Sequence, residues 1–177
     1  RRQRPMSIRD RKFFDAARDG KLPEVSYIVA PMQLSEHPPY MPMDGAWIQG
    51  EVAKAVMHGK NWDSTALIYS YDETGGWADH VVSPYPPQSE ESEWIEDPYD
   101  KSNGIAPIGP GFRLPFYIVS PWTSGGHVFT EHAAHESQIM FLEQWALAHG
   151  KPFTSEEIPT WRREQLSDLD KAIADCS

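Results

Sequence analysis

The chain has 177 residues and a mass of 20.1 kDa, which suffices for one domain with a hydrophobic core but not for two large ones. Its formal net charge of −10 and its pI near 5.1 disfavour attraction to nucleic acid or to an anionic membrane surface. No apolar stretch approaches the roughly 20 residues of a membrane-spanning helix, and the single cysteine, Cys176, has no partner within the chain.

The first part of the chain predicts a helix, a strand and a rigid loop. Residues 10–18 show a helical pattern that ends before Gly20, and residues 24–30 (E-V-S-Y-I-V-A) predict a strand that Pro31 stops. The segment 31–42 is rich in Pro and Met, and its prolines exclude a helix. It carries the motif Glu-His-Pro-Pro, which contains His37.

A helix followed by a strand comes next. Asp44 is a suitable N-cap for a helix that continues to about residue 57, with apolar residues at helical spacing. Gly59 closes this helix, and residues 65–71 predict a buried strand. The order of helix and strand is typical of an α/β domain.

The second half begins with a long polar segment and then returns to regular elements. Residues 83–110 are acidic and rich in Pro and Gly, which predicts a long surface excursion. A second strand is predicted at 114–120, a helix at 137–148 with Gly150 as its cap, and an amphipathic stretch at 161–174. Strands separated by helices predict a mostly parallel sheet flanked by helices.

Adjacent carboxylates follow the predicted strand 65–71 directly. Asp72 and Glu73 lie where the strand ends, and in open α/β sheets sites are built at that edge. Two neighbouring carboxylates repel each other unless a proton or a cation intervenes, and hard divalent ions bind such oxygen atoms. We therefore predict a metal site, although a capped turn with solvated carboxylates is the plain alternative. Oxygen ligands favour Ca, Mg or Mn, while nearby histidines leave Zn or Fe open.

Several other polar residues have both a functional and a structural interpretation. His37 is a candidate general acid or hydrogen-bond donor, but it also fits a rigid loop. Asp79 either orients His80 toward the site or caps the turn into Val81. Arg113 either binds an anionic group of a ligand or pairs with a carboxylate. The pair Arg162-Arg163 is predicted to be a surface cluster.

Four motifs carry a family resemblance. In chain order they are Y-D-E-T-G-G-W-A-D-H-V, G-P-G-F-R-L-P-F-Y-I-V-S-P-W, S-Q-I-M-F-L-E-Q-W and W-R-R-E-Q-L-S-D-L. Together they resemble the C-terminal half of the phosphoesterase family that contains bacterial non-haemolytic phospholipases C and acid phosphatase A-type enzymes. The resemblance extends from about residue 25 to residue 169 and is strongest to fungal secreted members. It implies an extracellular location and an alkaline-phosphatase-like fold.

The resemblance also implies a chemistry and a set of roles. Members hydrolyse phosphoesters, including phospholipids, through a hydroxyl nucleophile beside a divalent metal ion. By position, Asp72 and Glu73 match an Asp-Glu pair of metal ligands, and His37 matches a His close to the phosphoryl group. In the mechanism that the resemblance implies, His37 and His80 are the predicted catalytic residues, which stabilise phosphoryl oxygens or protonate the leaving alcohol. In members of the family, the nucleophile and a Glu-Asn pair of metal ligands lie upstream of the position that corresponds to Arg1. Because the chain starts with Arg1 rather than Met, we expect residues 1–177 to be the C-terminal part of one catalytic domain, without a nucleophile.

One departure from the family pattern concerns His135. The family has Asp-His-x-Ser before its last core helix, whereas this chain has Ala134-His135-Glu136-Ser137. A carboxylate beside a histidine fixes its tautomer, so the missing Asp weakens a ligand role for His135. His135 is predicted to contact substrate, and Asp79 is predicted to contact substrate as well.

The resemblance predicts phospholipase C activity on glycerophospholipids and leaves three alternatives. The first is an acid phosphatase that acts on phosphomonoesters. The second is a truncated, non-catalytic member that acts as a binding module. The third is a sulfatase-like or phosphonate-cleaving relative, which the Asp-Glu-Thr-Gly-Gly and Gly-Pro-Gly-Phe-Arg motifs disfavour.

Overall fold

The structure is a computed structural model that describes residues 8–126 and 128–173, so Cys176 and the end of the stretch 161–174 lie outside it. The described residues form two compact units. The first contains residues 8–69 and 117–124, and the second contains the remaining described residues. The helices are α1 (Ile8–Asp19), α2 (Pro42–Met57), α3 (His135–Ala148) and α4 (Thr160–Gln165), and the strands are β1 (Leu67–Ser70), β2 (Trp94–Glu96), β3 (Ile105–Pro107) and β4 (Phe116–Val119).

The first unit is organised by the packing of α1 against α2. Ala17 of α1 and Val52 and Val56 of α2 are buried and supply apolar contact area, as the helical spacing predicted. Gly59 permits the close approach, because a Cβ atom there would lie 2.5 Å from the backbone oxygen of Ala17. The predicted helices at the start of the chain and after the proline-rich loop are thus confirmed.

Helix α2 begins two residues earlier than its predicted N-cap. Pro42 is the first helical residue, where its fixed φ suits the helix and its missing N–H costs nothing. Asp44 therefore lies in the first turn, where a carboxylate interacts favourably with the helix dipole. The cap position itself is taken by Met41.

The predicted strand 24–30 is wrong. The segment has no regular secondary structure, and Tyr27 is 92% exposed and Val29 74% exposed. A strand requires a neighbour to accept its backbone hydrogen bonds. No strand of the described residues pairs with this segment. The apolar pattern was therefore not sufficient to form a strand here.

The strands form two sheets of two strands each. Strands β1 and β4 are hydrogen-bonded neighbours and lie within the predicted strands 65–71 and 114–120. Strands β2 and β3 pair in antiparallel register, with Trp94 opposite Pro107. The described chain is thus a mixture of helices and strands, while the mostly parallel, alkaline-phosphatase-like sheet stays a prediction.

The excursion 83–110 contains regular structure within the second unit. It includes the β2–β3 pair and the side chain of Glu93, which is 1% exposed. Arg162 of α4 binds both carboxylate oxygens of Glu93, at 2.7 Å and 2.9 Å, and also donates to Glu136 of α3. The Glu93 carboxylate raises the pKa of Arg162 by accepting its hydrogen bonds.

The predicted surface cluster Arg162-Arg163 is therefore wrong. The Arg162 side chain is 14% exposed, and Arg163 donates to both oxygens of Glu143, which is nearly buried. A buried carboxylate needs a charged partner because burial without one is costly. The pattern of two arginines on a polar stretch does not reveal those distant partners.

The amphipathic stretch 161–174 is divided rather than continuous. Helix α4 ends at Gln165, and a 3-10 turn follows at Asp170–Ile173. Between them, the Ser167 N–H donates to the His132 backbone oxygen at 2.8 Å. Leu169 has a φ of 66° and is 1% exposed. The chain leaves the helix to make this backbone bond and to bury Leu169.

Candidate active site at the end of strand β1

The candidate metal ligands lie in a turn immediately after β1. Asp72 and Glu73 are both exposed. One oxygen of Asp72 accepts the Glu73 N–H at 3.0 Å, and one oxygen of Glu73 accepts the Gly75 N–H at 2.5 Å. Gly75 and Gly76 have φ angles of 71° and 80°, which glycine adopts without strain, so the chain can turn sharply behind the carboxylates.

This donor set fits a divalent cation in kind but not in number. Each carboxylate has one oxygen held by a backbone N–H, which orients the other oxygen, and hard cations bind carboxylate oxygens. Among the described residues, however, no group of three or more His, Cys, Asp or Glu side chains is placed to hold a metal ion. Asp72 and Glu73 therefore form at most part of a metal site.

Asp79 belongs to the same loop and binds Arg113. The Arg113 Nε and Nη2 atoms donate to the two Asp79 oxygens at 2.6 Å and 2.7 Å, and the Arg113 N–H adds a bond of 3.3 Å. The hydrogen bonds from the Arg113 side chain hold the pKa of Asp79 well below its usual range. Asp79 also accepts the Val81 N–H at 3.3 Å.

These contacts decide between the interpretations of the Asp-His step. Asp79 uses its oxygens for Arg113 and for the turn into Val81, so it does not orient His80. The His80 side chain is exposed beside it. Arg113 likewise pairs with a carboxylate, although its side chain remains 69% exposed.

His135 lies beside the residue that precedes the candidate ligands. Its Nε2 is 2.8 Å from the Tyr71 backbone oxygen, and since a carbonyl oxygen only accepts, Nε2 carries the proton. One turn further along α3, Gln138 donates to the Ser70 hydroxyl at 2.9 Å. The first turn of α3 is thus attached to the end of β1. The structure brings His135 to the Asp72-Glu73 turn through the backbone rather than through a ligand bond.

His37 belongs to the first unit, whereas the other candidates belong to the second. Its side chain is exposed, and Nδ1 lies 2.8 Å from the Pro38 backbone oxygen. That contact fixes the ring relative to its own loop and places the proton on Nδ1. Nε2 is then the ring nitrogen available to a ligand.

The loop that carries His37 is held by Glu36 and Gln49, to which the sequence analysis assigned no role. Glu36 has a φ of 69°, which is uncommon for a residue with a side chain, and its carboxylate accepts a bond of 2.9 Å from Gln49 Nε2. A glycine inside a predicted helix often marks a place where another group packs closely against the helix. Gly45 of α2 is such a glycine, and the group packed against it is the Glu36 side chain.

A sequence model of the phosphoesterase family matches residues 2–147. The chain belongs to the phosphoesterase family. This finding confirms the resemblance that the four motifs indicated. The likeness to fungal members in particular stays a prediction.

Curated relatives place this phosphoesterase among proteins named phospholipase C. The chain is 36% identical over 164 residues to a non-hemolytic phospholipase C of Burkholderia pseudomallei, a match that covers 88% of the chain and 23% of that relative. It is 35% identical over 156 residues to a hemolytic phospholipase C of Pseudomonas aeruginosa, covering 85% of the chain and 20% of the relative. A non-specific phospholipase C6 of Arabidopsis thaliana is 33% identical over 135 residues, covering 69% and 24%.

The chain thus spans 23% of the length of the first of these relatives and 20% of the length of the second. Within its described residues, no helix combines the length and the apolar character needed to cross a membrane.

Proposed function

We propose that the full-length protein containing this chain hydrolyses phosphoesters, most specifically as a phospholipase C that acts on glycerophospholipids. The family membership and the relatives named phospholipase C support this proposal. The observation that carries it is the pair of exposed, backbone-held carboxylates at the end of β1. Neither the acid phosphatase nor the non-catalytic alternative has an observation of its own in its favour.

Asp72 and Glu73 would hold a divalent cation together with ligands that the described residues do not supply. When bound, such a cation stabilises negative charge on phosphoryl oxygens and lowers the pKa of a coordinated hydroxyl. The chain's own contribution is the orientation of the two carboxylates by the N–H groups of Glu73 and Gly75. The identity of the ion follows oxygen preference, with Ca, Mg and Mn ahead of Zn and Fe.

His37 would act on the substrate phosphoryl group. Because Nδ1 donates to its own loop, Nε2 carries a proton only in the imidazolium form, in which it would donate to a phosphoryl oxygen or protonate the leaving alcohol. His80, which is exposed beside Asp79, would be the second catalytic histidine, stabilising phosphoryl oxygens or protonating the leaving alcohol. An extracellular location and an alkaline-phosphatase-like parallel sheet for the complete domain are part of the same proposal.

The test compares two double variants of the full-length protein. Asp72→Asn with Glu73→Gln removes the proposed ligands while preserving side-chain size, and Glu90→Gln with Glu91→Gln removes two adjacent carboxylates from the acidic excursion. We expect the first variant to lose about 100-fold or more in turnover of p-nitrophenyl phosphorylcholine, and to lose divalent-ion binding measured by calorimetry. The second variant should match the parent in both measurements.

The substrate distinguishes the alternatives. A phospholipase C cleaves the phosphorylcholine diester and phosphatidylcholine vesicles, whereas an acid phosphatase prefers p-nitrophenyl phosphate. Unchanged ion affinity and turnover in the Asp72→Asn, Glu73→Gln variant would refute the metal-assisted mechanism. Absence of turnover on every substrate by the full-length protein would favour the non-catalytic alternative.

A further inference from the structure

We propose that Glu36 is a positioning residue for His37, acting through a hydrogen-bonded chain that anchors the histidine loop to helix α2 and strand β4. This inference depends on the proposed contact between His37 and the phosphoryl group. It assigns a role to Glu36, Gly45 and Gln49, which neither the motifs nor the family membership provide.

The backbone at Glu36 provides the first observation. Its φ of 69° lies in the left-handed region, where a residue with a side chain is uncommon and where other contacts must hold it. His37 is the next residue, so the direction in which the loop presents the imidazole follows from this conformation. A glycine would adopt it more easily, but a glycine has no side chain with which to hold the loop.

The contacts of the Glu36 carboxylate provide the second observation. Gln49 Nε2, on helix α2, donates to Glu36 Oε1 at 2.9 Å. The Gln49 side-chain oxygen in turn accepts a hydrogen bond from the Tyr117 hydroxyl on β4. Tyr69 on β1 donates to the Gln49 backbone oxygen at 2.6 Å, and its ring packs on that of Tyr117 with centroids 4.9 Å apart.

Gly45 provides the third observation, independent of the hydrogen bonds. It lies buried in α2, directly beneath the Glu36 side chain. A Cβ atom at position 45 would lie 2.1 Å from Glu36 Cγ and 2.3 Å from Glu36 Oε1. No atom pair tolerates these distances, so any side chain there would expel the carboxylate from α2. Glycine destabilises a helix, but at position 45 it leaves the space that the Glu36 side chain occupies.

The loop beyond Glu36 is short and fixed at both ends. Ser35 Oγ donates to the Met32 backbone oxygen at 2.8 Å and accepts the His37 N–H at 3.3 Å. On the other side, His37 Nδ1 binds the Pro38 oxygen. Since these contacts of the histidine are with its own loop, the anchoring of that loop by Glu36 sets the location of Nε2 relative to the first unit. A displacement of about 1 Å in a catalytic group is enough to cost about 100-fold in rate.

The experiment is a double-mutant cycle in the full-length protein, with turnover of p-nitrophenyl phosphorylcholine as the measurement. We expect His37→Ala to lower kcat by roughly 100-fold or more and Glu36→Ala to lower kcat by about 10- to 100-fold with little change in KM. Glu36→Gln keeps an oxygen that accepts from Gln49 and should retain most of the activity. In the His37→Ala background, Glu36→Ala should cause no further loss, because its effect operates through the histidine.

A pair of glycine variants on the same helix provides the matched control. Gly45→Ala should reproduce the kinetic defect of Glu36→Ala, since the new methyl group displaces the carboxylate. Gly50→Ala introduces the same methyl group into α2 at a place with no other atom within 4 Å, and it should leave kcat unchanged. Thermal unfolding of each variant verifies that the protein remains folded.

The outcomes separate this inference from the proposed function. Additive losses for Glu36→Ala and His37→Ala, or equal kcat for the Gly45→Ala and Gly50→Ala variants, would overturn the positioning role while leaving His37 catalytic. An active His37→Ala variant would overturn both the catalytic role of His37 and the positioning role of Glu36. If His37→Ala is active but the Asp72→Asn, Glu73→Gln double variant has lost turnover, the proposal of metal-assisted hydrolysis still stands.

Discussion

His135, the first residue of α3, donates from Nε2 to the backbone oxygen of Tyr71, the residue that precedes Asp72, over 2.8 Å. Gln138 reinforces the attachment by donating to Ser70. The helix therefore holds the end of β1, from which the candidate ligands extend. A histidine without the family's neighbouring aspartate thus still has a defined task, which is to bind the backbone at the candidate site.

His135→Ala should therefore weaken divalent-ion binding by the full-length protein by about 10-fold, as substitutions behind metal ligands commonly do. The lost hydrogen bond should also lower the free energy of unfolding by about 1 kcal/mol. His58→Ala is a matched control, because His58 also binds a backbone oxygen, that of Lys54, at 2.8 Å. It should leave calorimetric ion affinity unchanged. Equal losses of affinity in both variants would contradict a specific role for His135.

Arg162→Ala should be strongly destabilising. It leaves the Glu93 carboxylate, which is 1% exposed, without its charged partner, and breaking such a buried pair costs about 3–5 kcal/mol. Urea unfolding measures this loss. Arg18→Ala removes an exposed arginine that pairs with exposed Asp15 and should change the unfolding midpoint very little. Similar midpoints for the two variants would show that the buried ion pair is not a structural anchor.

The Asp79–Arg113 pair should make stability depend on pH in the acid range. Arg113 lowers the pKa of Asp79 in the folded protein, so the folded state favours the ionised carboxylate. The stabilisation is fully present above the unfolded-state pKa of about 4 and is lost as the pH falls through the lower folded-state value. Thermal melting of the parent and of Asp79→Asn should give a difference near neutrality that shrinks progressively below about pH 4. A difference that stays constant down to pH 2 would rule out this pair as its source.

Tyr69 should titrate abnormally. Burial, with Tyr117 nearby, raises the pKa of Tyr69 to about 12, so the folded protein favours its neutral form. The corresponding stabilisation is present below the unfolded-state pKa of about 10 and is lost as the pH rises through about 12. Absorbance at the tyrosinate band near 295 nm should show one group that ionises late, and Tyr69→Phe should remove that step. Retention of the late step in Tyr69→Phe would assign it to another tyrosine.

Local pattern was a sufficient guide where an element depends on its own residues. Helix α2 follows from apolar spacing at 3.6 residues per turn, although its first residue, Pro42, was assigned to the preceding loop, and β1 and β4 follow from short apolar runs. The same reasoning failed for residues 24–30, because strand formation depends on a partner that may lie anywhere in the sequence. The predicted stretch 161–174 is similarly interrupted, because helix α4 ends at Gln165 and Ser167 then binds the distant His132.

The candidate site shows the same division. The adjacent carboxylates Asp72 and Glu73 and the glycine pair behind them were evident from their order in the chain. Arg113 as the partner of Asp79, and Gln49 as the partner of Glu36, were not, because the members of these pairs are separated by 34 and 13 residues. The sequence indicated alternative roles for residues such as Asp79 and Arg113. The contacts in the structure were needed to choose between these roles.

The amino-acid sequence by itself determined the family of this protein, the helices α1, α2 and α3, the strands β1 and β4, and the acidic pair after β1. These properties depend on residue types at short, regular spacing, which local physical chemistry governs. The tertiary structure alone decided that Arg162 is buried between two carboxylates, that His135 binds a backbone oxygen, and that Glu36 occupies the space above Gly45. Such contacts arise from folding that brings distant residues together, where burial makes each charge and hydrogen bond require a specific partner.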